Sequence, residues 1–219
     1  MLRRGILAAC LFLAGPSRAG LSPSAGPRLP DGYLQVPLTA QATSYSCGAA
    51  SLLGILRYWR AFSDKESQDE TALYPVLRTT PADGTHPARL AEGARHFGLQ
   101  ARMREGLDWP DLEGAWRRGE TVILDIQAWP ERELAPEAWA ANWEDGHYVV
   151  LVGTDRDFLY VMDPSTPQSY GYIPKAEFLT RWHDYEMEGG KRREYRRMGI
   201  IISGKEKLPS FPAPPERVR

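Results

Sequence analysis

The sequence predicts an α+β domain, helical in its first half and built on an antiparallel sheet in its second. Before residue 120 the apolar residues recur at helical spacing, in segments closed by glycine. After it they fall into short runs of β-branched and aromatic residues separated by turn signals. Helices first and strands afterwards, rather than in alternation, place the strands in an antiparallel sheet packed on the helices.

In chain order, residues 1–19 read as an export signal. MLRR supplies the positive start, GILAACLFLAG the apolar core and Ser17-Arg18-Ala19 a small-x-small cleavage site. Cleavage is expected after Ala19, giving a secreted or periplasmic protein; a lipoprotein anchored at Cys10, in LAAC, is the lesser alternative. No later apolar run approaches the roughly 18 residues of a membrane span, so none is expected. Residues 20–32, rich in Pro, Gly and Ser, form a flexible arm that leads to a short strand at Tyr33–Leu38. The domain occupies 33–204. Its helices are Cys47–Trp59, with Ala50, Leu53 and Leu56 on one stripe, Pro87–Phe97 ended by Gly98, and Asp108–Arg118 ended by Gly119. Its strands are Val122–Ile126, Tyr148–Val152, Phe158–Met162, Tyr170–Ile173 and Met198–Ile202. The Pro-rich stretch 205–219 is a loose tail.

The formal net charge of −1 becomes about −4 when the signal and its three arginines are removed, which argues against nucleic acid as a partner. One basic run, Lys191–Arg197 (KRREYRR), follows Gly189-Gly190 and is expected to be a solvated loop. The acidic HDYEME run is expected to be a polar loop too. No pair of His, Cys or carboxylate residues shows a zinc-type spacing, so neither metal nor cofactor is expected. About 200 residues suit one domain, expected to be monomeric.

Chemistry concentrates at Cys47, in QATSYSCGAAS. With Cys10 in the signal it is the one thiol left, and it has no internal disulfide partner. A cysteine in the first turn of a helix faces unpaired backbone amides and the positive dipole end, which favour a thiolate, and Gly48 lets a substrate backbone approach. That is a nucleophile's setting, although a buried inert thiol is the ordinary alternative. Of the four histidines only His147, in GHYVVLVG, opens an apolar strand directly after a glycine, the place for a base. Asp163, sixteen residues on in VMDPS, is brought beside it by a hairpin turning at Asp155–Asp157 and would orient the imidazole. Gln41 would donate its side-chain amide to an oxyanion, with the Cys47 backbone N–H as the second donor. Trp129–Asp145 interrupts the sheet and holds three of the seven tryptophans. Two roles are open to it: a wall of the cleft, or a surface excursion anchored by its aromatics.

QATSYSCGAAS, GHYVVLVG and VMDPS, in that order, resemble the papain-like cysteine peptidases related to the double-glycine leader peptidase domain of bacteriocin-exporting ABC transporters. The resemblance spans about 33–204 and includes DGTHPARLAEGARHFGLQARM and GYIPKAEFLTRW. It implies a papain-like fold and a peptide or protein substrate. It also implies Cys47 as nucleophile, His147 as base, Asp163 as orienter and Gln41 as oxyanion donor. Two other functions are open: a peptidyl or acyl transferase like the phytochelatin synthases, in which an amine or thiol intercepts the thioester, and a catalytically silent peptide-binding module.

Overall fold

The computed structural model describes residues 26–62 and 69–208. The expected signal, the start of the arm and most of the tail lie outside the described residues. The expected α+β architecture is present. Helix α1 (Cys47–Tyr58) is followed by a 3-10 turn (Glu70–Leu73), the single-turn α2 (Tyr74–Leu77) and α3 (Pro87–His96). Strand β1 (Gln100–Arg104) and α4 (Trp109–Arg117) precede β2 (Thr121–Gln127), a 3-10 turn (Ala138–Ala141), β3 (Gly146–Thr154), β4 (Phe158–Met162) and β5 (Gly171–Pro174). The chain ends with α5 (Lys175–Arg181), β6 (His183–Glu188), β7 (Lys191–Arg196) and β8 (Gly199–Ser203).

Six strands form one antiparallel sheet in the order β1-β8-β2-β3-β4-β5, with the last strand of the chain inserted between β1 and β2. Helix α1 packs on one face against β3, with α3 beside it. Every residue of α1 except Arg57 is buried, more than the single apolar stripe requires, because α3 and the turn at 70–73 cover its back. Helices α4 and α5 cover the other face, where Leu112 and Phe178 meet Leu124, Val149 and Leu151. With both faces covered, β2 is buried at all seven positions, its polar Thr121, Asp125 and Gln127 included. Each such leucine contributes about 1.5–3 kcal/mol by leaving water.

Two expectations are corrected. Tyr33–Leu38 is not a strand: Leu34 donates its N–H to Val152 O at 2.7 Å, but Val36 N–H turns back to Leu34 O at 2.8 Å. That inverse-γ arrangement takes the segment out of the ladder after one bond. The basic run Lys191–Arg197 and the HDYEME run are not loops but the two strands of a separate hairpin, β6–β7. Gly189 and Gly190 both have positive φ, 59° and 78°, which builds a two-residue turn whose twist matches a hairpin. Charge hid the strands, and stacking supports them: the Arg192 guanidinium lies 4.0 Å over the Tyr185 ring.

Candidate active site

The loop that presents Cys47 is held from beneath. Ser46, at the N-cap of α1, makes no side-chain bond to the helix; its hydroxyl instead donates to Glu70 Oε1 at 2.9 Å and accepts from Thr43 N–H at 3.0 Å. The same Glu70 oxygen accepts from Ala42 N–H at 2.5 Å. Glu70 is 1% exposed, so this buried carboxylate grips the loop at both ends while the first-turn amides of α1 receive no side-chain cap. Gly48 fits a tight place: a Cβ would stand 3.0 Å from Tyr148 Cδ2 and 3.1 Å from Thr85 Cβ, closer than ordinary contact.

His147 stands on β3, pairs in register with Ile126 and is 6% exposed. Its Nε2 is 2.7 Å from Asp163 Oδ1, and its ring also bonds the Cys47 thiol, which leaves Nδ1 for the sulfur. The hairpin read from sequence is what makes this contact. Strands β3 and β4 pair, Asp155 closes their turn by accepting the N–H groups of Asp157 and Phe158, and Asp163 follows the end of β4. A register shift between Leu151 and Gly153 adjusts the pairing on the way.

Asp163 accepts two more bonds, from Ser165 N–H to Oδ1 at 2.8 Å and from the Trp129 indole N–H to Oδ2 at 3.0 Å. Burial alone would push its pKa up, but His147 and these donors hold it below the usual carboxylate range. Burial alone would likewise lower the imidazole; the Asp163 carboxylate and Cys47 outweigh it and raise His147 to about 10. Gln41 is pinned between two loops. Its Nε2 donates to Thr43 O at 2.8 Å, its Oε1 accepts from Ser165 Oγ at 3.2 Å, and its backbone N–H donates to Pro164 O at 3.1 Å. Among the described residues, the other N–H of its amide has no acceptor.

The other histidines are structural: His86 caps α3 by accepting Ala88 N–H at 3.2 Å, His96 meets Phe97 edge to face, and His183 meets Asn142 O. Two contributors escaped the sequence. Trp129 sits in the interrupting segment with φ 62°, and nothing in its residue type marked it as a donor to Asp163. Glu70 lies in an acidic stretch that looks like surface. The interrupting segment walls a cavity of about 1010 Å³ behind Asp163, lined by Trp129, Leu134, Trp139, Tyr172 and Arg181. Neither Cys47 nor His147 lines it, so it is not the cleft of the thiol.

The chain belongs to the Peptidase_C39 like family, a C39-type cysteine peptidase family whose model matches residues 33–189. No curated protein matches the chain. Among solved structures it resembles a double-glycine-motif protease from an AMS/PCAT transporter in complex with the leader peptide, at 20% identity over 81% of this chain and 98% of that one, with a TM-score of 0.51. The peptidase domain of Streptococcus ComA, a bifunctional ABC transporter, aligns at 17% identity over 78% and 99% of the two chains, TM-score 0.53. A C39-like peptidase from Bacillus anthracis aligns at 17% identity over 83% and 100%, TM-score 0.52. At these identities the likeness is one of fold.

Proposed function

We propose that the protein is an exported cysteine peptidase that hydrolyses a peptide bond through Cys47, His147 and Asp163. The single observation that carries this is the buried chain of contacts from Asp163 Oδ1 through the His147 ring to the Cys47 thiol. His147, raised to about 10, keeps a proton through neutral pH, so the resting pair is an imidazolium facing the sulfur. With the thiol's proton held on that imidazolium, the sulfur attacks the substrate carbonyl carbon, forming a C–S bond and moving the carbonyl electron pair onto oxygen. The Cys47 backbone N–H and the remaining Gln41 N–H receive that oxyanion. His147 then gives its proton to the leaving nitrogen as the C–N bond breaks. Water, deprotonated by His147, hydrolyses the thioester and returns the free enzyme. Asp163 fixes the ring and its charge throughout.

The test is hydrolysis of a mixed peptide library by the purified protein. Cys47→Ala and His147→Ala should each lose cleavage at least about a thousandfold while keeping the native circular dichroism. A Cys47→Ala protein that still cleaves at the original rate overturns the proposal. The export half has its own test: the secreted or periplasmic protein should begin at Gly20, and a lipid-modified Cys10 at its start would replace the soluble form by an anchored one.

A further inference from the structure

Asp163, Pro164 and Ser165 follow β4 in succession, and each of them bonds either the base or the oxyanion donor. Asp163 Oδ1 meets His147 Nε2 at 2.7 Å. Pro164 O accepts the Gln41 backbone N–H at 3.1 Å. The Ser165 hydroxyl, 124 residues from Gln41 in the chain, bonds its Oε1 at 3.2 Å. The turn is stiffened by the carboxylate it carries. Asp163 Oδ1 also accepts Ser165 N–H at 2.8 Å, an Asx-turn, and Thr166 N–H closes a β-turn on Asp163 O at 3.0 Å. The group that orients the imidazole therefore also fixes the backbone from which the serine hydroxyl leaves.

That hydroxyl meets a carboxamide whose direction matters. Gln41 Nε2 faces Thr43 O at 2.8 Å, and a carbonyl can only accept, so the nitrogen belongs at that end and the oxygen at the serine. Oε1 cannot donate, which makes Ser165 Oγ the donor of the pair. Among the described residues no other group donates to Oε1. The last torsion of a glutamine is broad, with no sharp staggered well, so one bond leaves the amide free to swing. Two bonds at opposite ends define its plane, and the direction of the second N–H follows from that plane. An oxyanion donor acts fully only when it is aimed before the charge appears.

We propose that Ser165 is a positioning residue: its hydroxyl holds the Gln41 amide in the plane from which the second N–H reaches the oxyanion. One turn then sets both halves of the site, the base through the Asp163 carboxylate and the oxyanion donor through the Ser165 hydroxyl. This role rests on the peptidase function proposed above. Replacing the side chain of Ser165 removes the second link and spares the first, because its bond to Asp163 comes from the backbone. Ser165 is exposed, so the loss of its hydroxyl should leave the fold intact.

The test compares Ser165→Ala, Ser165→Thr, Gln41→Ala and the double variant Gln41→Ala/Ser165→Ala as purified proteins, on one peptide that the wild type cleaves. Ser165→Ala should lower kcat on the order of tenfold with KM unchanged, a smaller loss than that of Gln41→Ala. Ser165→Thr, which keeps a hydroxyl, should restore it. In the Gln41→Ala background Ser165→Ala should cost nothing more, because the hydroxyl then has no amide to hold. The alkaline limb near pH 10 should stay in place, whereas a serine that only supported the turn would move it through Asp163. A second measurement needs no substrate: 15N relaxation at Gln41 Nε2 should show a rigid amide in the wild type and in Ser165→Thr, and a mobile one in Ser165→Ala. Full kcat in Ser165→Ala, an undiminished further loss in the Gln41→Ala background, or an amide equally rigid without the hydroxyl overturns the role and leaves the peptidase standing. If the wild type cleaves no peptide, the peptidase function falls, and the relaxation measurement alone decides whether Ser165 holds the amide.

Discussion

Asp163 receives three donors on two oxygens, and only one of them is the imidazole, so each contact can be removed separately. Asp163→Asn keeps an acceptor for the ring but loses the negative charge that raises His147. The folded protein and part of the activity should remain, while the alkaline limb of kcat/KM, set near pH 10 by the imidazolium in the wild type, moves to lower pH. An unmoved limb would show that some other group sets it. Trp129→Phe retains the ring and deletes the bond to Oδ2; kcat should fall on the order of tenfold, while the limb should not move to lower pH as it does in Asp163→Asn, because the Asp163 charge remains. Gln41→Ala should lower kcat by about a hundredfold with KM nearly unchanged, because an oxyanion donor acts on charge that appears in the transition state. A raised KM with kcat preserved would make Gln41 a ground-state contact instead. At this scale the sequence was most legible where chemistry restricts residue type. A lone thiol at a helix start, a histidine after a glycine at a strand start and an aspartate sixteen residues on leave few arrangements. Trp129 and Glu70 were not legible, because their meaning comes from neighbours distant in the chain.

Among the elements, α1 and the β3–β4 hairpin position the site, and both were visible: one by its apolar stripe, the other by two runs of β-branched residues around an Asp-rich turn. What escaped was polar. β1 (QARMR) is an edge strand that alternates between exposed and half-buried positions. β6 and β7 carry mostly charged side chains, and their pairing depends on two consecutive glycines at positive φ rather than on an apolar period. The loop before α1 owes its shape to a third kind of feature, one carboxylate serving Ala42 N–H and the Ser46 hydroxyl. Glu70→Ala leaves the Ala42 N–H unmet and the Ser46 hydroxyl with Thr43 O alone, a loss of about 1–3 kcal/mol by denaturant titration. Because the loop carries Cys47, kcat should fall with it even where the variant remains fully folded. Activity at the wild-type level in a folded variant would mean that the loop holds its shape without Glu70.

For the molecule as a whole, the titrating groups of the site combine into a pH dependence of stability whose sign is fixed by their directions. Burial, with Asp184 and Asp83 nearby, raises Glu186 to about 8, and burial with Asp184 also raises Asp125. A carboxyl raised on folding costs nothing below its unfolded value, near 4.3 for Glu; its penalty grows as pH rises towards the folded value. His147 adds the same slope from another cause: raised to about 10, it stabilises fully below the unfolded value of about 6.5, and that contribution is lost as pH climbs through 10. Asp163, held low, works only at the acid end, where its stabilisation disappears as it is protonated. Unfolding free energy should therefore peak near pH 4–5 and decline steadily towards pH 10, rather than form a plateau through neutrality. Glu186→Gln should flatten the part of the decline between about pH 5 and pH 8 and leave the part above it, which belongs to His147. A wild-type protein as stable at pH 8 as at pH 5 would contradict these directions.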